Sequence, residues 1–198
     1  MAKHKVEFYF DYNSPYSYFA SLRIEQVCAA AGAELEWLPM VLGGVFQSMH
    51  HTPSFQNPVR AKYLWEDLQN LADAYGLPYK PRTTFLFKGV LPLRATIQVA
   101  QGQERGKAVH ALFRGAFAED KELGDARVVE ALLNEAGLNG KALVAGAEQQ
   151  HVKDQLKEST DRAVARGVFG APTMFLDGKK MFWGQDRLPI LEHFLKQA

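Results

Sequence analysis

Two serines near the N-terminus, Ser14 and Ser17, have the spacing of a CxxC redox pair in which oxygen replaces both sulfur atoms. Cys28 is the single cysteine of the 198-residue chain, so neither dithiol exchange nor an intrachain disulfide is possible. A serine at the start of a helix can still favour an anion there, such as a thiolate that another molecule supplies. Taken alone, Ser14 followed by Pro15 is more simply a good helix start.

Two further motifs lie near the C-terminal end. Pro172 directly precedes a predicted strand, where proline commonly marks a sheet edge. If Pro172 lies opposite the first helix, a cis Ala171–Pro172 bond would expose the backbone of Ala171 to a peptide-like thiol. Only about 5–6% of X–Pro bonds are cis. Gln185 and Asp186 precede the last predicted helix. Asp186 is expected to cap that helix, and the pair could also accept hydrogen bonds from an ammonium group.

Hydrophobic periodicity predicts the elements that must position these residues. In chain order these are a strand at 6–10, a helix at 14–31, a strand at 35–38, helices between about 59 and 166, a hairpin at 173–183 and a closing helix at 188–195. The stretch 42–58 is rich in Gly, Ser, His and Pro and predicts a long loop, which is often functional. His51 lies in it, where solvent exposure is favoured over a substrate role. Cys28 is expected in the core and Asp67 on a helix surface.

This order of elements is that of an α/β, thioredoxin-like domain with a large all-helical insertion. We predict that residues 1–41 and 160–198 form the thioredoxin-like domain and that residues 42–159 form the helical insertion. In such a fold the first strand ends at the N-terminus of the first helix, which is where Ser14 lies.

Composition excludes several classes of function. Apolar residues make up 47% and charged residues 23%, which is typical of globular domains. Lys and Arg number 23 against 22 Asp and Glu, so the charge pattern favours neither nucleic acid nor a membrane surface as a partner. The six histidines lack zinc-ligand spacing, so no metal is expected. Without a long apolar run, a cytoplasmic location is the default expectation.

Three segments together resemble a known family. They are Phe8-Tyr-Phe-Asp-Tyr-Asn-Ser-Pro-Tyr-Ser-Tyr-Phe-Ala20, then Tyr63-Leu-Trp-Glu-Asp-Leu68 with Tyr75-Gly-Leu-Pro78, then Val168-Phe-Gly-Ala-Pro-Thr173 with Trp183-Gly-Gln-Asp-Arg-Leu188. Each is weak alone, but the combination spans nearly the whole chain. It resembles the 2-hydroxychromene-2-carboxylate isomerase family and, less closely, the kappa-class glutathione transferases.

The resemblance implies roles for the matching residues around glutathione. Ser14 would hydrogen-bond the glutathione sulfur and keep it as a thiolate. The main chain of Ala171, before a cis Pro172, would pair with the cysteinyl backbone. Gln185 and Asp186 would hold the γ-glutamyl end.

On the substrate side, the resemblance implies an asparagine near the active site, matched by Asn57. It also implies a basic residue three positions before Tyr63, which is Arg60 here, although lysine is more common. Lys62 lies close by in sequence. Because arginine and lysine are not interchangeable at an anion site, the choice between Arg60 and Lys62 for the substrate carboxylate stays open.

The implied function is a glutathione-dependent isomerase that interconverts 2-hydroxychromene-2-carboxylate and trans-o-hydroxybenzylidenepyruvate, or a close analogue in aromatic degradation. Two alternatives stay open: a kappa-like glutathione transferase or peroxidase, and a non-catalytic thioredoxin-fold binding module. The expected partners are a small aromatic substrate and, by family analogy, a second copy of the chain in a homodimer.

Overall fold

A computed structural model describes residues 4–84 and 86–197. Its sheet contains β1 (Lys5–Phe10), β2 (Glu34–Pro39), β3 (Thr173–Leu176) and β4 (Lys180–Trp183), in the order β2-β1-β3-β4. β1 is parallel to β2 and antiparallel to β3, and β4 is antiparallel to β3. The predicted β-α-β start and late hairpin are confirmed. Residues 1–3 and 198, which the prediction assigned to the thioredoxin-like domain, lie outside the described residues.

The helices surround this sheet. They are α1 (Pro15–Ala30), α2 (Leu42–Ser48), α3 (Pro58–Tyr75), α4 (Val90–Ile97), α5 (Gln103–Phe117), α6 (Ala126–Glu135), α7 (Gly140–Gly146), α8 (Gln150–Ala165) and α9 (Leu188–Leu195). Because α2 to α8 all lie between β2 and β3 in the chain, the α/β thioredoxin-like fold with a helical insertion is confirmed. The predicted boundary between residues 159 and 160 falls inside α8, and the division into two domains stays a prediction.

The predicted long loop at 42–58 is wrong over its first half, which forms α2. Glycines at its start are poor helix formers, but side chains distant in sequence satisfy the main chain there. The N–H of Leu42 donates to the Asp11 carboxylate at 2.8 Å, and the N–H of Val41 donates to Thr160 Oγ1 at 3.0 Å. The buried Val45 then fixes the helix against the protein.

Two hydrophobic clusters lie on the two faces of the sheet, as alternation along β1 requires. Phe8 and Phe10 point into the larger cluster, whereas Tyr9 belongs to the smaller one. Phe113 of α5 joins the larger cluster, with its ring centroid 5.7 Å from that of Phe10. The helical insertion and the sheet therefore share one core.

Cys28 lies on the buried face of α1 and is 2% exposed, as predicted. Burial raises the pKa of its thiol to about 12, and Glu25 adds to this rise. The thiol therefore behaves as a small apolar core group. In the described part of the chain, no helix combines the length and apolar character needed to cross a bilayer.

Candidate active site

Ser14 lies where β1 gives way to α1, and it caps that helix as predicted. Its Oγ accepts a hydrogen bond from Ser17 N at 3.2 Å. The helix has Pro15 at its first position and no acidic residue in its first turn, so no side chain of that turn offsets its partial positive charge. Ser14 is 4% exposed and is one of the residues that line a cavity. This is a site suited to a small anion.

The second predicted motif meets the first at this point. The Ala171–Pro172 peptide bond is cis, and β3 begins at the next residue. The Ser14 hydroxyl donates to the carbonyl oxygen of Ala171 at 2.9 Å, across 157 residues of sequence. The fold therefore brings the two motifs into direct contact.

A buried carboxyl group holds the turn that carries Ser14. Asp11 is 4% exposed, and its carboxylate accepts hydrogen bonds from Asn13 N and Leu42 N, both at 2.8 Å. Burial raises the pKa of Asp11 to about 6, although these two hydrogen bonds act in the opposite direction. Asp11 thus joins the turn before α1 to the start of α2.

An apolar cavity of about 410 Å³ opens beside Ser14. It lies between the start of α1, the α2 segment and the loop before β3. Its lining residues are Asn13, Ser14, Pro15, Tyr16, Leu42, Phe46, Met49, His51, Pro53, Phe55, Leu64, Phe169, Gly170, Ala171 and Trp183. The abundance of aromatic and aliphatic side chains suits a flat apolar ligand.

A more polar cavity of about 400 Å³ adjoins the first and shares Tyr16, Ala171 and Trp183 with it. The other lining residues are Asp67, Leu71, Gly184, Gln185, Asp186 and Arg187. Ala171 therefore lies between the two cavities, and Ser14, which contacts it, lines the apolar one. A wider depression of about 610 Å³ lies elsewhere, around Glu25 and His110.

Gln185 and Asp186 both line the polar cavity, but they differ in solvent exposure. Gln185 is buried, and its Oε1 accepts a hydrogen bond from Arg23 at 3.3 Å. The Arg23 guanidinium lies 4.1 Å from the centre of the Tyr75 ring. Asp186 is exposed and forms an ion pair with Arg187 at 3.0 Å.

The expectation that Asp186 caps the last helix is wrong. A short 3-10 turn at 185–187 intervenes, so α9 is preceded by Arg187 and has no side-chain cap. Asp186 is instead one of the residues that line the polar cavity.

The comparisons with known proteins agree with this geometry. Residues 5–196 match the model of the DSBA-like thioredoxin domain. The chain is 31% identical over 199 residues to a 2-hydroxychromene-2-carboxylate isomerase of Pseudomonas putida, with 94% of this chain and 92% of the relative covered. The chain belongs to this isomerase family.

Two further matches support the family membership predicted from the motifs. The solved structure of a SeMet 2-hydroxychromene-2-carboxylate isomerase matches with a TM-score of 0.88 and 28% identity, covering 98% of this chain and 95% of that one. Glutathione S-transferase kappa 2 of Caenorhabditis elegans is 28% identical over 209 residues, covering 97% and 92% of the two chains. The predicted resemblance is confirmed, and it supports an isomerase.

The residues that the isomerase resemblance implied for the substrate lie outside both cavities. Asn57 caps α3, and its Oδ1 accepts from Val59 N at 3.0 Å and Arg60 N at 3.2 Å. Arg60 is exposed, and Lys62 lies 3.8 Å from Glu66 with 81% of its side chain exposed. Among the described residues, these three side chains do not line the cavities next to Ser14. Their roles stay predictions.

The site of this isomerase-family chain also contains a polar pair that the sequence does not predict. The Tyr16 hydroxyl donates to the Asp67 carboxylate at 2.7 Å. Asp67 is half-buried and does not lie on an open helix surface. Burial raises the pKa of Tyr16, and the bond to Asp67 raises it further, so the phenol stays protonated. No local signal links the two residues, which are 51 positions apart.

Trp183 separates the two cavities and is half-exposed. Its indole packs on Phe169, with 4.8 Å between ring centroids, and lies over Gly170. A Cβ at position 170 would lie 2.4 Å from the indole Nε1, so glycine is needed for this close approach. Within the described residues, no group of three or more His, Cys, Asp or Glu side chains could hold a metal ion.

Proposed function

We propose that the chain is a glutathione-dependent isomerase that interconverts 2-hydroxychromene-2-carboxylate and trans-o-hydroxybenzylidenepyruvate, or a close aromatic analogue. The observation that carries the proposal is the position of Ser14. It lies at the N-terminus of α1, with its hydroxyl 2.9 Å from the carbonyl oxygen of Ala171, the residue before the cis proline. Ser14 lines the apolar cavity, and Ala171 lines both the apolar and the polar cavity.

The polar cavity has groups that suit glutathione. The carboxylate of Asp186 and the amide oxygen of Gln185 can accept hydrogen bonds from an ammonium group such as that of the γ-glutamyl end. Arg23 restrains Gln185 from outside the cavity. The main chain of Ala171 can pair with a peptide backbone that lies along the loop before β3, which directs the cysteinyl sulfur towards Ser14.

Ser14 and the start of α1 supply the chemical environment of the thiol. A free thiol has a pKa of about 8.5, and a hydroxyl donor together with the helix N-terminus favours its charged form. The hydroxyl of Ser14 donates to Ala171 O in this structure, and it can turn about its Cβ–Oγ bond to donate to sulfur instead. Glutathione would supply a thiolate that adds reversibly to the conjugated double bond of the substrate, permitting rotation about that bond.

The apolar cavity holds the aromatic part of the substrate beside this sulfur. Its walls exclude water from the reacting carbon atoms, which keeps the electrostatic effect of Ser14 strong. Asn57, Arg60 and Lys62 stay proposed for the substrate side. Glutathione is regenerated in each turnover and is therefore a cofactor.

A kappa-like transferase is the second candidate, because the chain is also related to glutathione transferases of this class. The two functions differ in whether glutathione is consumed. We expect the spectrum of 2-hydroxychromene-2-carboxylate to change only when both protein and glutathione are present, with the free thiol concentration constant throughout.

Ser14→Ala is the decisive variant, with Ser48→Ala as a matched control on an exposed part of α2. We expect Ser14→Ala to lose at least tenfold in isomerisation rate at neutral pH, and Ser48→Ala to retain the wild-type rate. Wild-type turnover by Ser14→Ala would refute the mechanism. Absence of glutathione binding in calorimetry would leave a non-catalytic binding module, and consumption of thiol would identify a transferase.

A further inference from the structure

The lining of the apolar cavity is nearly uncharged. Among its described lining residues, His51 is the one side chain that can carry a positive charge. The other hydrogen-bonding side chains there are Asn13, Ser14, Tyr16 and Trp183, and Tyr16 already donates to Asp67. Apart from the N-terminus of α1, which the proposed function assigns to the sulfur, a ligand with an apolar ring and an anionic group would therefore meet one side chain of this lining that can carry a positive charge.

The main chain at the end of α2 fixes the position of His51. The N–H of His51 donates to Phe46 O at 2.9 Å, and the N–H of His50 donates to Gln47 O at 3.2 Å. His50 has a φ of 52° between them. These features define a Schellman motif, which normally has glycine at the left-handed position. Here a histidine adopts that conformation, and the chain then turns so that residue 51 faces the cavity.

The imidazole is also held by packing. Its ring lies against Phe46, with centroids 5.1 Å apart, which is the apolar contact that commonly accompanies a Schellman motif. His51 is exposed and borders the cavity as well, so it lies at the rim. A ligand group bound there keeps contact with water while its ring occupies the apolar interior.

We propose that His51 determines specificity for substrates that join an aromatic ring to a carboxylate, by donating a hydrogen bond from its imidazole to that carboxylate. Imidazole offers an N–H donor in its neutral and its charged form, and a bond to a carboxylate is charge-assisted. This inference rests on the proposed function and names the residue that orients its substrate. It assigns to His51 the anion contact that the resemblance gave to Arg60 or Lys62.

A binding experiment tests the assignment without turnover. The probes are trans-cinnamate and its uncharged counterpart cinnamamide, titrated against tryptophan fluorescence. We expect the wild type to prefer cinnamate. We expect His51→Leu to bind cinnamate about 10- to 100-fold more weakly, the range for a lost charge-assisted hydrogen bond, and cinnamamide equally well. His51→Gln, which keeps a donor, should lose less.

His50→Asn is the control, because asparagine tolerates the left-handed conformation and residue 50 is not among the described cavity-lining residues. It should bind both probes like the wild type. The proposal is overturned if His51→Leu keeps the preference for cinnamate, if it weakens both probes equally, or if Arg60→Ala or Lys62→Ala removes the preference instead. Failure of glutathione-dependent turnover would contradict the proposed function alone, since these titrations contain no glutathione.

Discussion

Asp11 lies buried beneath the turn that carries Ser14, and its charged form has no cationic partner among its described contacts. Its pKa rises from an ordinary value of 3.8 to about 6 on folding. Between these two values the folded chain binds a proton that the unfolded chain releases. The contribution of Asp11 to the free energy of unfolding therefore falls as pH rises from about 4 to 6. An aspartate whose pKa is lowered by a salt bridge shows the opposite dependence on pH.

The size of this effect follows from the two pKa values. A rise from 3.8 to about 6 corresponds to about 3 kcal/mol of unfolding free energy, which is lost progressively across that interval and is fully lost above it. The hydrogen bonds from Asn13 N and Leu42 N are already included, since they oppose the rise. This is a sizeable fraction of the stability of a typical domain.

Urea denaturation of the wild type and of Asp11→Asn between pH 4 and 7 measures the effect. Asparagine does not titrate, and the other carboxyl groups cancel in the difference between the two proteins. The wild type should lose about 2 kcal/mol relative to the variant as pH rises from 4 to 6.5, because part of the titration lies outside this range. Asp73→Asn, on the exposed face of α3, is the control. A difference between wild type and Asp11→Asn that is constant across this range would refute the reasoning.

Three further predictions concern the surroundings of the site. Arg23→Ala removes the donor to buried Gln185 and should lower stability by about 1 kcal/mol and weaken glutathione binding several-fold in calorimetry; unchanged affinity would contradict the restraint. Gly170→Ala should displace Trp183, seen as a shifted indole N–H resonance, whereas an unshifted resonance would exclude the close contact. His50→Gly should raise Tm by about 2–4 °C in calorimetry through relief of about 1 kcal/mol of strain, and a lower Tm would count against that strain.

The sequence predicts those features that depend on interactions between residues close together in the chain. Ser14 with Pro15 is sufficient to start α1, because capping and a preset φ act within one turn. The turn of Asp177 and Gly178 works in the same way: both residues adopt positive φ, at 51° and 67°, within the tight turn that the bond from Lys179 N to Leu176 O closes.

The remaining features depend on residues far apart in sequence. The sequence does not predict α2, because the N–H groups at its start donate to Asp11 and Thr160, which lie far from the helix in sequence. Arg23 contacts Gln185 across 162 positions. The location of His51 at the cavity rim follows only once α2 exists. The motifs thus predict which groups meet at the centre of the site. The residues that line its two cavities are identified only from the folded structure.

The buried thiol of Cys28 has a practical use. Because the thiolate is the reactive form, a pKa of about 12 and an exposure of 2% protect the folded chain from alkylating reagents. Every opening of α1 removes that protection. The rate at which iodoacetamide labels Cys28 under native conditions therefore reports the opening of the helix that Ser14 caps, with no cysteine introduced by mutation.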